Sequence, residues 1–251
     1  MILLETKNLT KYFGDTHAVD HINFSVAQGE LLALIGSNGA GKTTLVNLIS
    51  GLIRPDAGTI IFKGADVTAM SVHDRIRAGI ARSFQLVTVF DQLGTLDNVA
   101  LAIFCREAKI RQLFSLASSD HMVSEEAYAV LREFGLEDKA GQPAGGLSQG
   151  ERKLLDVAVA YALRPMLLFL DEPTSGVSTR EKAPIMDIIT SIVRSGKITA
   201  VIIEHDMDVV FRYSDRIVAV HEGAILADGT PDEIRCNEQV TTTLLGTSES
   251  Q

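Results

Sequence analysis

Apolar residues recur along this chain with two periods, and the places where one gives way to the other mark its elements. Near the N-terminus Ile22, Phe24 and Val26 alternate with Asn23, Ser25 and Ala27 before the turn-forming pair Gln28-Gly29. That is the period of a half-buried strand, and a second strand of the same antiparallel layer is expected over residues 59–62. Residues 31–35, Leu-Leu-Ala-Leu-Ile, form an unbroken apolar run, as a strand buried on both faces of a parallel sheet requires. Leu45, Leu48, Ile49 and Leu52 then follow at helical spacing and predict a helix with one buried face. Strand-like runs disappear between residues 87 and 163, where 95–105, 125–134 and 148–163 are helical in period. Two more apolar runs, 166–170 and 199–203, resume the parallel core, and each leads into acidic or imidazole residues. Residues 217–220 and 224–227 flank His221-Glu222-Gly223, which predicts a β-hairpin. The last dozen residues, rich in Thr, Ser and Glu, are expected to fray.

A chain of 251 residues holds one large α/β domain or one core carrying an inserted subdomain. Its apolar runs are too short to span a bilayer. Glu5, Lys7 and Lys11 precede any long apolar run, so no secretory leader is expected and the cytoplasm is the expected place. Cys105 and Cys236 form no CxxC pair, which argues against a disulfide framework or thiolate metal site and suits a reducing compartment; both are expected to be packing residues. A formal net charge of −9 argues against nucleic acid as a partner. Glu125-Glu126 reads as a solvated helix face, and the histidines at 17, 21, 73, 121 and 221 fit no ligand spacing.

Candidate chemistry begins directly after the run 31–35, where the chain reads Gly36-Ser37-Asn38-Gly39-Ala40-Gly41-Lys42-Thr43-Thr44. Glycines at this spacing let successive backbone N–H groups converge on phosphate oxygens at a helix N-terminus. Lys42 would reach the β and γ phosphates and Thr43 would hold magnesium. ATP and Mg2+ are therefore the expected ligands. Hydrolysis of ATP also needs a positioned water. Asp171, ending the run 166–170, is placed to contact Mg2+ through water, and Glu172 to orient or deprotonate the attacking water. An Asp-Glu pair alone can equally be an ion-pairing strand end; the phosphate loop upstream is what favours the catalytic reading. Ligands of open α/β sheets sit beyond the carboxyl ends of strands, so Gly36, Asp171, Glu172, Glu204 and His205 are expected to converge.

With these segments goes Leu147-Ser148-Gln149-Gly150-Glu151, and the set, in this order, resembles the nucleotide-binding subunits of ATP-binding cassette (ABC) transporters over essentially the whole chain. The resemblance implies an α/β fold: a P-loop NTPase core with a mainly parallel sheet and an N-terminal antiparallel β layer (residues 1–86 and 164–235), an inserted helical subdomain (87–163) and a tail (236–251). It implies that Ser148 and Gly150, in the signature loop, bind the γ phosphate of ATP held by an opposite subunit. Arg82-Ser83-Phe84-Gln85 resembles the family's Q-loop, which implies that Gln85 contacts Mg2+ and water, while residues 86–98, with apolar Val87, Val89 and Phe90, lie against a transmembrane partner. Glu204-His205-Asp206 resembles the switch, with His205 on the γ phosphate, and Lys11-Tyr12-Phe13-Gly14 the adenine-stacking loop, with Phe13 on the base.

Within that family the nearest resemblance is to ATPases of branched-chain amino acid importers, with urea and short-chain amide importers as relatives. It rests on residues 82–90, 204–207, 214–217, 228–231 and 244–246. The implied partners are a second cassette, identical or related, two transmembrane permease subunits and, indirectly, a periplasmic solute-binding protein, with the chain at the cytoplasmic face of the inner membrane. Two residues depart from the family pattern. Gln149 replaces a signature glycine, and Ser178, after Ser175-Gly176-Val177, stands where the D-loop carries Asp. A lipopolysaccharide-export ATPase is the alternative within transporters. DNA-repair members carry long coiled-coil insertions and translation members two cassettes, and this chain has neither. A sensor that does not hydrolyse is disfavoured by the intact set Lys42, Asp171, Glu172 and His205.

Overall fold

The computed structural model describes residues 1–83, 89–107 and 121–245. Its contacts divide the chain into two units, one of Met1–Arg75 with Thr199–Gln251 and one of Ile76–Ile198.

The first unit opens on the strands β1 (Ile2–Phe13), β2 (Thr16–Ile22) and β3 (Ser25–Ala27), followed by β4 (Leu31–Ile35), helix α1 (Lys42–Ser50), β5 (Ala57–Phe62) and β6 (Ala65–Asp66). Helix α2 (Val72–Ala78) leads out of it. Strand β1 is the spine of an antiparallel layer, pairing with β2 (Tyr12↔His17), β3 (Leu4↔Val26) and β5 (Leu4↔Phe62). Ile22, Phe24 and Val26 are buried as their alternation requires, yet they do not lie on one strand. The ladder breaks after Ile22, where the Thr6 hydroxyl donates to the Ile22 carbonyl (3.0 Å) and accepts from the Phe24 amide (2.9 Å). A side chain thus takes the place of a ladder bond.

After the second unit the chain returns with β9 (Thr199–Ile203), α7 (Met207–Tyr213), β10 (Arg216–His221), β11 (Ala224–Gly229), α8 (Pro231–Arg235) and α9 (Glu238–Val240), the second unit having supplied β7 (Ile80–Arg82), α3 (Thr95–Arg106), α4 (His121–Glu133), α5 (Gln149–Ala162), β8 (Leu167–Asp171) and α6 (Thr179–Arg194). Strand β4 lies between β9 and β10 and runs parallel to both, while β11 turns back along β10 as the expected hairpin. Every residue of β4 and β9 is buried, which is why both read as unbroken apolar runs. Helix α1 buries Leu45, Leu48 and Ile49, but Leu52 is 45% exposed: Gly51, in the left-handed region at φ 84°, has already ended the helix.

In the second unit β7 and β8 pair in parallel (Ile80↔Leu167), and α3, α4 and α5 pack on one another through Val99, Ile103, Phe104, Ala127, Leu131, Leu155 and Ala158. One guanidinium ties the three helices: Arg106 donates to Glu126 (2.8 and 2.9 Å) and to the Ala162 carbonyl (2.8 Å). Glu126 is therefore no solvated residue, although Glu125 is exposed; Arg106 holds the Glu126 carboxyl below the usual range. Cys105 and Cys236 are both exposed rather than packed, since one lies on the outer face of α3 and the other at the cap of α8.

Candidate nucleotide site

The phosphate loop is held by main chain on two sides. At Gly36 (φ 154°) a β-carbon would lie 2.2 Å from the Val220 carbonyl oxygen, and at Gly41 (φ 104°) 2.3 Å from that of Ala18, so only glycine fits either position. The Gly223 amide donates to the Ala40 carbonyl (2.9 Å), and the Gly223 carbonyl accepts from the Asp20 amide (2.8 Å). Strand β2 and the turn between β10 and β11 thereby brace the loop. Lys42 is 6% exposed and its ammonium donates to the carbonyls of Gly36 (2.6 Å) and Ser37 (2.9 Å), closing the loop on itself. Ser37, Asn38, Gly39 and Thr43 are exposed, Thr44 is half-buried, and Ala40 and Gly41 are buried. At the opposite end of α1 lies a residue that the sequence did not single out. Arg75, 1% exposed, donates to the carbonyls of Leu48 and Ile49 in the last turn of the helix and to that of Thr68 (2.8 Å). A cation there complements the negative end of the helix whose positive end carries the loop.

The register Leu34↔Ile203 sets the ends of β4 and β9 side by side, so Glu204 and His205 follow beside the start of the loop. Glu204 is buried and His205 exposed; Asp206 caps α7, its carboxylate accepting from the amides of Asp208 (3.0 Å) and Val209 (3.3 Å). Phe13 ends β1 and is 53% exposed, with the Lys11 ammonium 5.6 Å from its ring centroid. The ring is open to stack on a base.

The second unit gathers the carboxylates. Asp171 ends β8 at 8% exposure, and Arg82 at the end of β7 grips its Oδ2 through Nε (2.6 Å) and Nη2. Burial pushes the Asp171 carboxyl above the usual aspartate range, against the opposing pull of Arg82. Glu172 stands at φ 46°, a left-handed conformation that costs a residue with a β-carbon about 1–2 kcal/mol. It opens a turn in which the Ser175 amide donates to the Glu172 carbonyl (3.1 Å).

Ser148 is the N-cap of α5, paired with Glu151 in a capping box: the Ser148 amide donates to the Glu151 carboxylate (2.8 Å) and the Glu151 amide to the Ser148 hydroxyl (3.2 Å). Gly150 is buried, and a β-carbon there would lie 3.1 Å from Glu181. At α6 the Ser178 amide (3.1 Å) and hydroxyl (2.6 Å) both donate to the Glu181 carboxylate. The hydroxyl at this D-loop position thus acts as a donor, a role a carboxylate cannot take. Gln85, Leu86 and Val87 lie outside the described residues. Among those described no group of three or more His, Cys, Asp or Glu could hold a metal. Magnesium favours one or two protein groups together with substrate phosphates, and Thr43, exposed at the start of α1, carries an oxygen of that kind.

Fold and loop together define a P-loop protein that binds nucleoside triphosphates. Residues 19–175, more than half of the chain, match the family model described as ABC transporter. The chain belongs to the ABC transporter family and is an ATP-hydrolysing subunit of it. Over 97% of its length it is 34% identical to the high-affinity branched-chain amino acid transport ATP-binding protein BraF of Pseudomonas aeruginosa, covering 98% of that protein. The corresponding protein LivG of Escherichia coli is 32% identical, over 97% of this chain and 98% of its own. Among solved structures, the ADP conformation of an ATP-binding cassette of an ABC transporter is similar at a TM-score of 0.88 and 30% identity, over 98% of this chain and 99% of that one. Membership implies permease partners in a membrane and paired cassettes. No helix among the described residues is long and apolar enough to cross a membrane.

Proposed function

We propose that this subunit powers import of branched-chain amino acids, or of a related small polar solute, by binding and hydrolysing MgATP between paired cassettes. The observation that carries the nucleotide reading is the pre-formed phosphate loop, its lysine buried and held by the Gly36 and Ser37 carbonyls while Ser37, Asn38 and Gly39 stay exposed. The solute reading rests on the names of the relatives BraF and LivG, matched over nearly the whole chain.

In this reading Phe13 stacks on adenine, the loop from Ser37 to Thr44 surrounds the phosphates, and Lys42 turns its ammonium from the loop carbonyls to the β and γ oxygens. Thr43, Gln85 and, through water, Asp171 hold Mg2+, which would neutralise charge on the phosphates. Glu172 orients the attacking water or takes its proton, and His205 contacts the γ phosphate. Ser148 and Gly150 serve the ATP of the partner cassette. Residues 87–163 are the helical subdomain, and 86–98 dock the permeases at the cytoplasmic face of the membrane. A periplasmic binding protein delivers the solute.

Two variants and a transport assay test this. Lys42→Ala is expected to weaken ATP binding and abolish turnover, whereas Glu172→Gln retains ATP but hydrolyses it very slowly. Turnover near wild type in Glu172→Gln refutes the role of that carboxylate. Vesicles carrying the chain with its permeases and binding protein should accumulate labelled leucine when supplied with ATP; ATP-dependent export instead overturns the import reading.

A further inference from the structure

Lys153 lies on α5, two residues beyond the signature loop, and has no part in the nucleotide reading above. It is 8% exposed, which for an ammonium demands partners. Its Nζ donates to the Glu172 carbonyl and to the Ser175 hydroxyl, both at 3.0 Å. Those two residues open and close the turn already fastened by the Ser175 amide on the same Glu172 carbonyl (3.1 Å). The carbonyl thus accepts twice, and the buried ammonium clamps the turn from the signature helix. The residue so held is the one at φ 46°. Backbone in that region persists only where its surroundings over-determine it, and the side-chain direction of Glu172 follows from its main chain.

We propose that Lys153 is the positioning residue for Glu172, fixing the aim of its carboxylate from the same helix whose first turn, Ser148 to Gly150, faces the partner's nucleotide. The inference rests on the proposed role of Glu172 in hydrolysis. It makes α5 a direct lever, since any displacement of the helix start moves Lys153 and with it the carboxylate. The ammonium is engaged by the Glu172 carbonyl and the Ser175 hydroxyl, so ATP affinity should not depend on it.

The test is a double-mutant cycle on the full chain. Lys153→Met keeps the length of the side chain and removes its donors; it is expected to lower kcat at least about tenfold, as misplacement of a reacting group does, while the Kd for ATP stays within twofold. Ser175→Ala, which removes one acceptor, should lower kcat by less and serves if Lys153→Met does not fold. Lys153→Arg should recover part of the loss. In the Glu172→Gln background Lys153→Met is expected to change nothing further, because its effect passes through the missing carboxylate. An undiminished kcat in Lys153→Met, or an equal fold-loss in both backgrounds, overturns the proposal. A Glu172→Gln variant with wild-type turnover refutes instead the role of Glu172 on which the proposal depends.

Discussion

Buried cations do more in this protein than its acidic composition suggests. Arg75, Arg82 and Lys153 are each almost wholly enclosed, and their partners are main-chain carbonyls, a hydroxyl and one carboxylate. None was legible in the sequence, because a carbonyl acceptor leaves no trace in residue identity and Asp171 is far along the chain from Arg82. The phosphate loop, by contrast, was readable from the spacing of its glycines, although the carbonyls that demand Gly36 and Gly41, those of Val220 and Ala18, lie far along the chain. Arg75→Met would strand the carbonyls of Ile49 and Thr68, while that of Leu48 keeps the Gly51 amide (3.2 Å), and a buried acceptor without a donor costs about 1–3 kcal/mol. Some relaxation is expected, so stability to urea should fall by about 3 kcal/mol, with weaker ATP binding as α1 loosens. A loss under about 1 kcal/mol would show that water or another donor replaces the guanidinium.

At the scale of elements, helix starts govern where Ser148 and Ser178 sit. Both begin helices, and in each the third helical residue is a glutamate that accepts from the serine amide. Ser148→Arg should cost about 1 kcal/mol through the lost cap and, if the site is shared between cassettes, leave ATP binding to a monomer intact while preventing ATP-driven dimers; size-exclusion of a Glu172→Gln form decides this. Ser178→Asp removes the hydroxyl that donates to Glu181 (2.6 Å) and sets a second carboxylate against it, so thermal stability should fall slightly, while an effect on coupling should appear as a raised Hill coefficient for ATP hydrolysis. Indistinguishable ATP titrations would make Ser178 a silent replacement.

The knot of α3, α4 and α5 carries a pH dependence with a definite sign. Arg106 lowers the Glu126 carboxyl below its ordinary 4.5, so the pair contributes fully above that pH and is lost as pH falls through the lowered value. Glu126→Gln should flatten the acid limb of the stability profile and leave the neutral range parallel to wild type. The helices and strands that period picked out were legible to within a few residues, but β7, α2, α6, α7 and α8 were not among them. The break after Ile22 and the early end of α1 were not legible either, because a threonine hydroxyl and a left-handed glycine decided them.

For the whole molecule, the surface left uncovered is as informative as the core. Phe90 is 61% exposed, a large apolar side chain in the segment expected to meet the membrane subunits. Phe90→Asp should reduce co-purification with the permeases and leave basal ATP hydrolysis unchanged; undiminished assembly removes 86–98 from the docking surface. The order of motifs made the family readable from sequence, whereas the solute was not, because no residue of an ATP-hydrolysing subunit needs to touch it.

Helix α1 is a beam anchored at its far end. With Leu48 and Ile49 gripped by Arg75, sliding the helix to absorb the arrival or departure of a γ phosphate would break hydrogen bonds of a buried guanidinium. At the near end the ties are two main-chain bonds, through which Gly223 joins Ala40 to Asp20. That small tie is where a spring would be built, and stiffening or cutting it should retune the stroke of the motor without altering its fuel.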